Sequence, residues 1–144
     1  MSMRDDVEEV EKMMEELQVA ERKNGQGNAL FSEEKYQEAI VSYQVALDNL
    51  GSGEEADVRL RSQILCNIGD CHFKLGRYKE ALESFSEARG IDSNWEEPFM
   101  KMSDVMEKRL KKVKLERERR VALKELFEDL DYWVTLGLDE RSRR

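Results

Sequence analysis

The chain has 144 residues, 39% charged and 8% aromatic, with a net charge of −8 and one proline. This suits a single helical domain with a strongly charged surface; the acidic balance excludes general nucleic-acid binding, which needs a positive footprint. No apolar run approaches the length of a transmembrane helix, so no membrane-spanning helix is expected.

Residues 5–22 are acidic, with Val7, Val10, Met14 and Leu17 spaced by three and four, one face of a helix. Met1 to Asp6 is too acidic to open a signal peptide. No breaker follows, so one helix over 5–32 is expected. Gly25 and Gly27 inside it each cost about 1 kcal/mol in propensity, which predicts a close neighbour there. A second helix over 36–50 is stopped by Gly51-Ser52-Gly53. A third over 55–75 carries Leu65, Ile68 and His72 as one stripe, and Gly76 can take the positive φ that ends it. A fourth over 78–91 presents Tyr78, Ala81, Leu82, Phe85 and Ala88, with Gly69 and Ala81 expected to touch across this hairpin.

Asp92-Ser93-Asn94 is capping chemistry, and Pro98 suits the first turn of a fifth helix over 97–120 or longer. Its stripe of Phe99, Met102, Met106, Leu110 and Val113 is expected to cover the preceding hairpin. A basic stretch over 108–124 follows, then a C-terminal helical segment near 123–135. Phe99, Met106, Val113, Phe127 and Val134 share a seven-residue grid of coiled-coil type. Leu123, Leu126, Phe127, Leu130, Trp133 and Val134 form an apolar set expected to meet a second copy of the chain or another partner. The basic stretch could also serve calmodulin or an anionic membrane; a solvated face pairing with the acidic N-terminal helix is the simpler reading.

The chain contains an internal repeat. Gly27, Phe31, Tyr36, Ala39, Tyr43 and Ala46 recur as Gly69, Phe73, Tyr78, Ala81, Phe85 and Ala88, with twelve residues from Gly to the first Ala and seven to the second in both copies. These residues at these offsets resemble the tetratricopeptide repeat family. The resemblance implies an all-α fold, an array of tetratricopeptide-like helical hairpins (an α-solenoid) with a long C-terminal helix. The expected organisation is an acidic N-terminal extension over 1–22, two repeats over 20–95, a capping helix over 96–113 and a C-terminal helical extension over 114–144.

Nothing in the residue pattern points to catalysis, a metal or a cofactor: there is no phosphate loop, ligand cluster or nucleophile elbow. His72, the single histidine, sits at a packing position, and Cys66 and Cys71 lie five apart on one helix, facing different ways. They read as reduced thiols of a cytoplasmic protein. The first helix of each hairpin lines the concave side of such arrays, where partners bind. That face carries Asn24, Asn28 and Phe31 from the first repeat, Asn67, Asp70, Phe73 and Lys74 from the second, and Glu97, Met100 and Lys101 from the cap.

Many family members hold chaperone tails ending Glu-Glu-Val-Asp with two asparagines and three basic residues. The resemblance assigns Asn28 and Asn67 to the asparagines and Lys101 to a clamp arginine; Asn24 and Glu97 stand where lysines are usual. The expected function is a non-enzymatic adaptor or co-chaperone-like scaffold binding a peptide or partner segment in the groove. The alternative is an assembly subunit acting through its C-terminal helix. Protein partners are expected, a heat-shock chaperone tail and a homodimer mate among them, with no nucleic acid.

Overall fold

The structure, a computed structural model, describes residues 2–50 and 55–142. Among them are five helices and no strand: α1 (Met3–Ser32), α2 (Tyr36–Asp48), α3 (Glu55–Lys74), α4 (Tyr78–Ile91) and α5 (Glu97–Ser142). The expected Gly51-Ser52-Gly53 stop lies outside the described residues. The chain falls into two units, Met1–Met106 and Glu107–Arg144.

In the first unit, Ser2 and Asp5 close a capping box at the start of α1, each side chain bonding the other's backbone N–H at 3.4 Å. The two hairpin turns are built alike. After α1, Lys35 N donates to Leu30 O at 2.9 Å and Glu34 N to Phe31 O at 3.0 Å, with Glu34 left-handed at φ 62°. After α3, Arg77 N donates to His72 O at 2.8 Å and Gly76 N to Phe73 O at 3.1 Å, with Gly76 at φ 76°. These are Schellman-type closures, and they return α2 along α1 and α4 along α3.

The core forms on both sides of α3. Ile64, Ile68 and Cys71 meet Ala20 of α1 and Ala39, Ile40, Tyr43 and Ala46 of α2. Leu65 and Cys66 meet Ala81, Phe85 and Ala88 of α4 and Val105 of α5. The single stripe expected on this helix, Leu65, Ile68 and His72, is thus divided, because a middle helix in a stack is covered twice. Each buried aliphatic side chain contributes about 1.5–3 kcal/mol.

Glycine marks the closest approach in each hairpin. A Cβ on Gly27 would stand 2.5 Å from the Tyr43 ring, and one on Gly69 would stand 2.5 Å from the Phe85 ring. At Gly69, as at Gly27, the small residue makes room for an aromatic ring of the following helix. Gly25, also expected at a close crossing, has nothing within 4 Å.

The covering face of α5 shares only Met102 with the expected stripe. Pro98 and Val105 are buried and Met102 is half-buried, while Phe99 and Met106 are exposed. Phe99 instead lies under the Arg89 guanidinium, 4.7 Å from its centroid, outside the apolar contact.

In the second unit α5 continues as one helix to Ser142, so the separate segment near 123–135 does not exist. No Gly or Pro occurs between Pro98 and Gly137 to break it. Lys111 pairs with Glu107 one turn away at 3.2 Å. Leu110, Leu123, Leu126 and Phe127 are exposed; the side chains of Leu130, Trp133 and Val134 lie outside the described residues. No helix among the described residues is long and apolar enough to cross a membrane.

Candidate functional site

Helix periodicity brings one polar row together on the first unit. Asn24 and Asn28 are one turn apart on α1, and Asn67 faces them from α3. Asn67 Nδ2 donates to Asn24 Oδ1 at 3.1 Å and to Asn28 Oδ1 at 3.5 Å. From behind, the Tyr43 hydroxyl donates to the same Asn28 oxygen at 2.6 Å. Burial, then the charges of Cys71 and Asp70, raises the Tyr43 pKa above its ordinary value, so the phenol stays a donor. These bonds use the Asn28 oxygen and the Asn67 amino group. Asn28 Nδ2 and Asn67 Oδ1 remain for a ligand, one donor and one acceptor, the two groups a peptide bond needs.

One turn along α3 from Asn67, Asp70 forms an ion pair with α5. Lys101 Nζ of α5 bonds Asp70 Oδ2 at 2.5 Å and lies 3.5 Å from Glu97 Oε1. Burial is the largest influence on Asp70 and raises its pKa; Lys101 opposes this and Glu97 adds to it. Burial alone would lower Lys101, but its bond to Asp70 and the charges of Asp70 and Glu97 outweigh it and raise the value. The Cys66 thiol beside them is pushed up to about 12, by burial first, with Asp70 and Glu97 adding and Lys101 opposing.

Three adjoining recesses share these residues. The first, about 320 Å³, is lined by Phe31, Phe73, Phe85 and Val105, with Asp70, Asp104, Lys74 and Lys101. The second lies among Asn28, Phe31, Ser32, Tyr43, Asn67 and Asp70. The third is polar and is bounded by Asn24, Asn28, Gln63, Cys66, Asn67, Trp95, Glu97 and Lys101. Because Asn28, Asn67, Asp70 and Lys101 recur among them, the recesses run on as one groove.

Nine of the ten residues expected in the groove line it: Asn24, Asn28, Phe31, Asn67, Asp70, Phe73, Lys74, Glu97 and Lys101. Met100 is exposed and lines none of the three recesses. The sequence reading did not place Ser32, Tyr43, Gln63, Phe85, Trp95 or Val105 in the groove. Gln63 stands one turn before Asn67 on the same face, so helical spacing could have found it. Trp95 lies in the link before α5, with the Arg59 guanidinium 5.2 Å from its ring centroid and that arginine bonded to Asp92 at 2.6 Å; local spacing carries no signal for that clasp.

A family model described as tetratricopeptide repeat matches residues 17–94. Among curated proteins, the chain is similar to human zinc finger CCCH domain-containing protein 7B, 33% identical over 81 residues, and to peptidyl-prolyl cis-trans isomerase FKBP42 of Arabidopsis thaliana, 36% identical over 77 residues. Mouse peptidyl-prolyl cis-trans isomerase FKBP4 is 32% identical over 87 residues. The matches cover 54%, 47% and 54% of this chain but only 8%, 21% and 19% of those proteins. Among solved structures, the second TPR of Spaghetti (RPAP3), bound to the HSP90 peptide SRMEEVD, superposes with a TM-score of 0.59 at 21% identity. That match covers 78% of this chain and 92% of the other, a likeness of fold.

Proposed function

The chain belongs to the tetratricopeptide repeat family, and on that premise we propose that it is a non-catalytic protein-interaction module that holds an extended segment of a partner protein in the groove of its first unit. The observation that carries this reading is the asparagine row. Tyr43 and Asn67 orient Asn28 so that one donor and one acceptor face the groove, beside an apolar recess. Such a surface recognises a peptide backbone and takes one side chain as an anchor. A cytoplasmic adaptor of co-chaperone type is consistent with this.

A chaperone tail is one segment of the right kind. The neighbouring fold holds SRMEEVD, and Asn28, Asn67 and Lys101 stand at clamp positions. Asn24 and Glu97 replace clamp lysines, so an isolated acidic tail should bind weakly. The test is a pulldown with the intact chain and with Asn28→Ala/Asn67→Ala, followed by direct binding of each recovered protein. Partners that bind the intact chain and not the double variant place recognition in the groove. Partners that bind both equally remove the reading.

A second reading rests on α5. Leu123, Leu126 and Phe127 are exposed, Phe127 by 65%, and an apolar set of this size suits an assembly surface. Sedimentation of the intact chain against Phe127→Asp tests it: a monomer at every concentration, unchanged by the substitution, rejects self-association.

A further inference from the structure

The charges along the groove select the kind of segment that fits it. Lys101 is the one basic residue at a clamp position, and its ammonium is already held between Asp70 and Glu97 at 2.5 and 3.5 Å. An incoming carboxylate would have to displace one of these partners. Asp104, one turn after Met100 on α5, joins Asp70 in the apolar recess, where Lys74 joins Lys101; Glu97, in the adjoining polar recess, is the third carboxylate of the groove. The apolar recess by itself is balanced, but over the groove as a whole three carboxylates face two lysines, an excess of one negative charge on a chain whose net charge is −8. The raised pKa of Lys101, for which Asp70 and Glu97 are responsible, reports the same field.

The recess itself is apolar: Phe31, Phe73, Phe85 and Val105 wall about 320 Å³, room for one large aliphatic or aromatic side chain. Its charged rim lies directly beside that wall. A residue following or preceding the anchor would therefore meet Asp104, Asp70 or Glu97. Like charges brought together across an interface disfavour a partner, and opposite charges steer one in. Arginine suits such a rim through its fork of donors, lysine as a point charge.

Resting on the groove reading above, we propose that the preferred ligand is an internal, extended segment of a partner protein that carries a bulky apolar residue next to lysine or arginine, and that acidic C-terminal tails bind less well. The asparagine row holds the backbone of the segment, the aromatic recess takes the apolar side chain, and the carboxylate rim takes the cation. A free C-terminus is not needed, because no unneutralised cation waits for one at Lys101.

The full chain can be immobilised and offered two random dodecapeptide libraries, one displayed internally and one with free C-termini. The expected winners come from the internal library and place Lys or Arg within two positions of Phe, Leu, Met or Trp. A blocked synthetic peptide of the consensus should bind at least tenfold more tightly than SRMEEVD in fluorescence anisotropy. Glu97→Lys/Asp104→Lys should reverse that preference; Glu97→Lys alone should narrow it, should the double variant melt early.

Selection of acidic free C-termini, lost in Asn28→Ala/Asn67→Ala, would overturn the charge preference and leave the groove reading standing. Winners indifferent to both the asparagine and the charge variants, or no winners at all, would overturn both.

Discussion

The Tyr43 ring occupies the space that a Cβ on Gly27 would need, 2.5 Å from Cε1, and its hydroxyl reaches past the glycine to Asn28 at 2.6 Å. One aromatic residue thus closes the first hairpin and sets the first groove asparagine. Phe85 repeats the packing on Gly69 at the same distance, without the hydroxyl. The polar function belongs to the first copy alone.

Tyr43→Phe separates the two roles. The ring still fills the space over Gly27, and the loss of one hydrogen bond should cost about 1 kcal/mol. Groove ligands should bind more weakly than that small loss of stability explains, because Asn28 is no longer held. Chemical denaturation and anisotropy on the same samples check this; unchanged ligand affinity would remove the positioning role.

Gly69→Ala should destabilise by about 1–3 kcal/mol, since the buried Phe85 ring cannot move aside without overpacking the hairpin. Gly25→Ala is the opposite case. With nothing within 4 Å of its Cβ, alanine in that helical position should stabilise by about 1 kcal/mol. Thermal melts of the two variants should move in opposite directions.

Glu34 carries the left-handed conformation that Gly76 carries in the second turn, φ 62° against 76°. A side chain in that region costs about 1–2 kcal/mol. Glu34→Gly should therefore stabilise by about 0.5–1 kcal/mol, once the greater freedom of glycine in the unfolded chain is deducted. Gly76→Ala should destabilise. Equal melting of Glu34→Gly and the parent would show that the turn relaxes around glutamate.

His72 makes stability depend on pH. Burial first, then the charge of Arg77, lowers its pKa below the ordinary 6.5, with Glu80 and Glu83 opposing. Its Nδ1 is buried without a partner. With the folded value below the unfolded one, the unfolded chain binds the extra proton. The penalty is absent above pH 6.5 and grows as pH falls below it. His72→Leu, which copies Leu30 of the first repeat, should flatten the loss of stability in urea between pH 7.5 and 5.5. A parallel decline in both proteins would assign it to other groups.

The repeat was legible in the sequence because its determinants are local and chemical. A glycine, an aromatic and two alanines at constant offsets can satisfy only a tight hairpin, and Gly76 at the turn has few alternatives. The groove face was legible for the same reason: helical spacing alone sets Asn24 beside Asn28, and Asn67 beside Asp70. What one residue meets on another helix was not. The ring of Phe85 over Gly69 was not foreseen, and of the stripe expected on α5 only Met102 packs on the core, beside the buried Pro98 and Val105, while Phe99 and Met106 are exposed. A helix rotated by one residue turns through about 100°, so the crossing of two helices, and not the pattern of either, selects the face that is buried. The tie of Lys101 to Asp70 across 31 residues is of that kind. Spacing placed both on the groove; only the approach of α5 to α3 decided that the lysine would be neutralised by the protein itself.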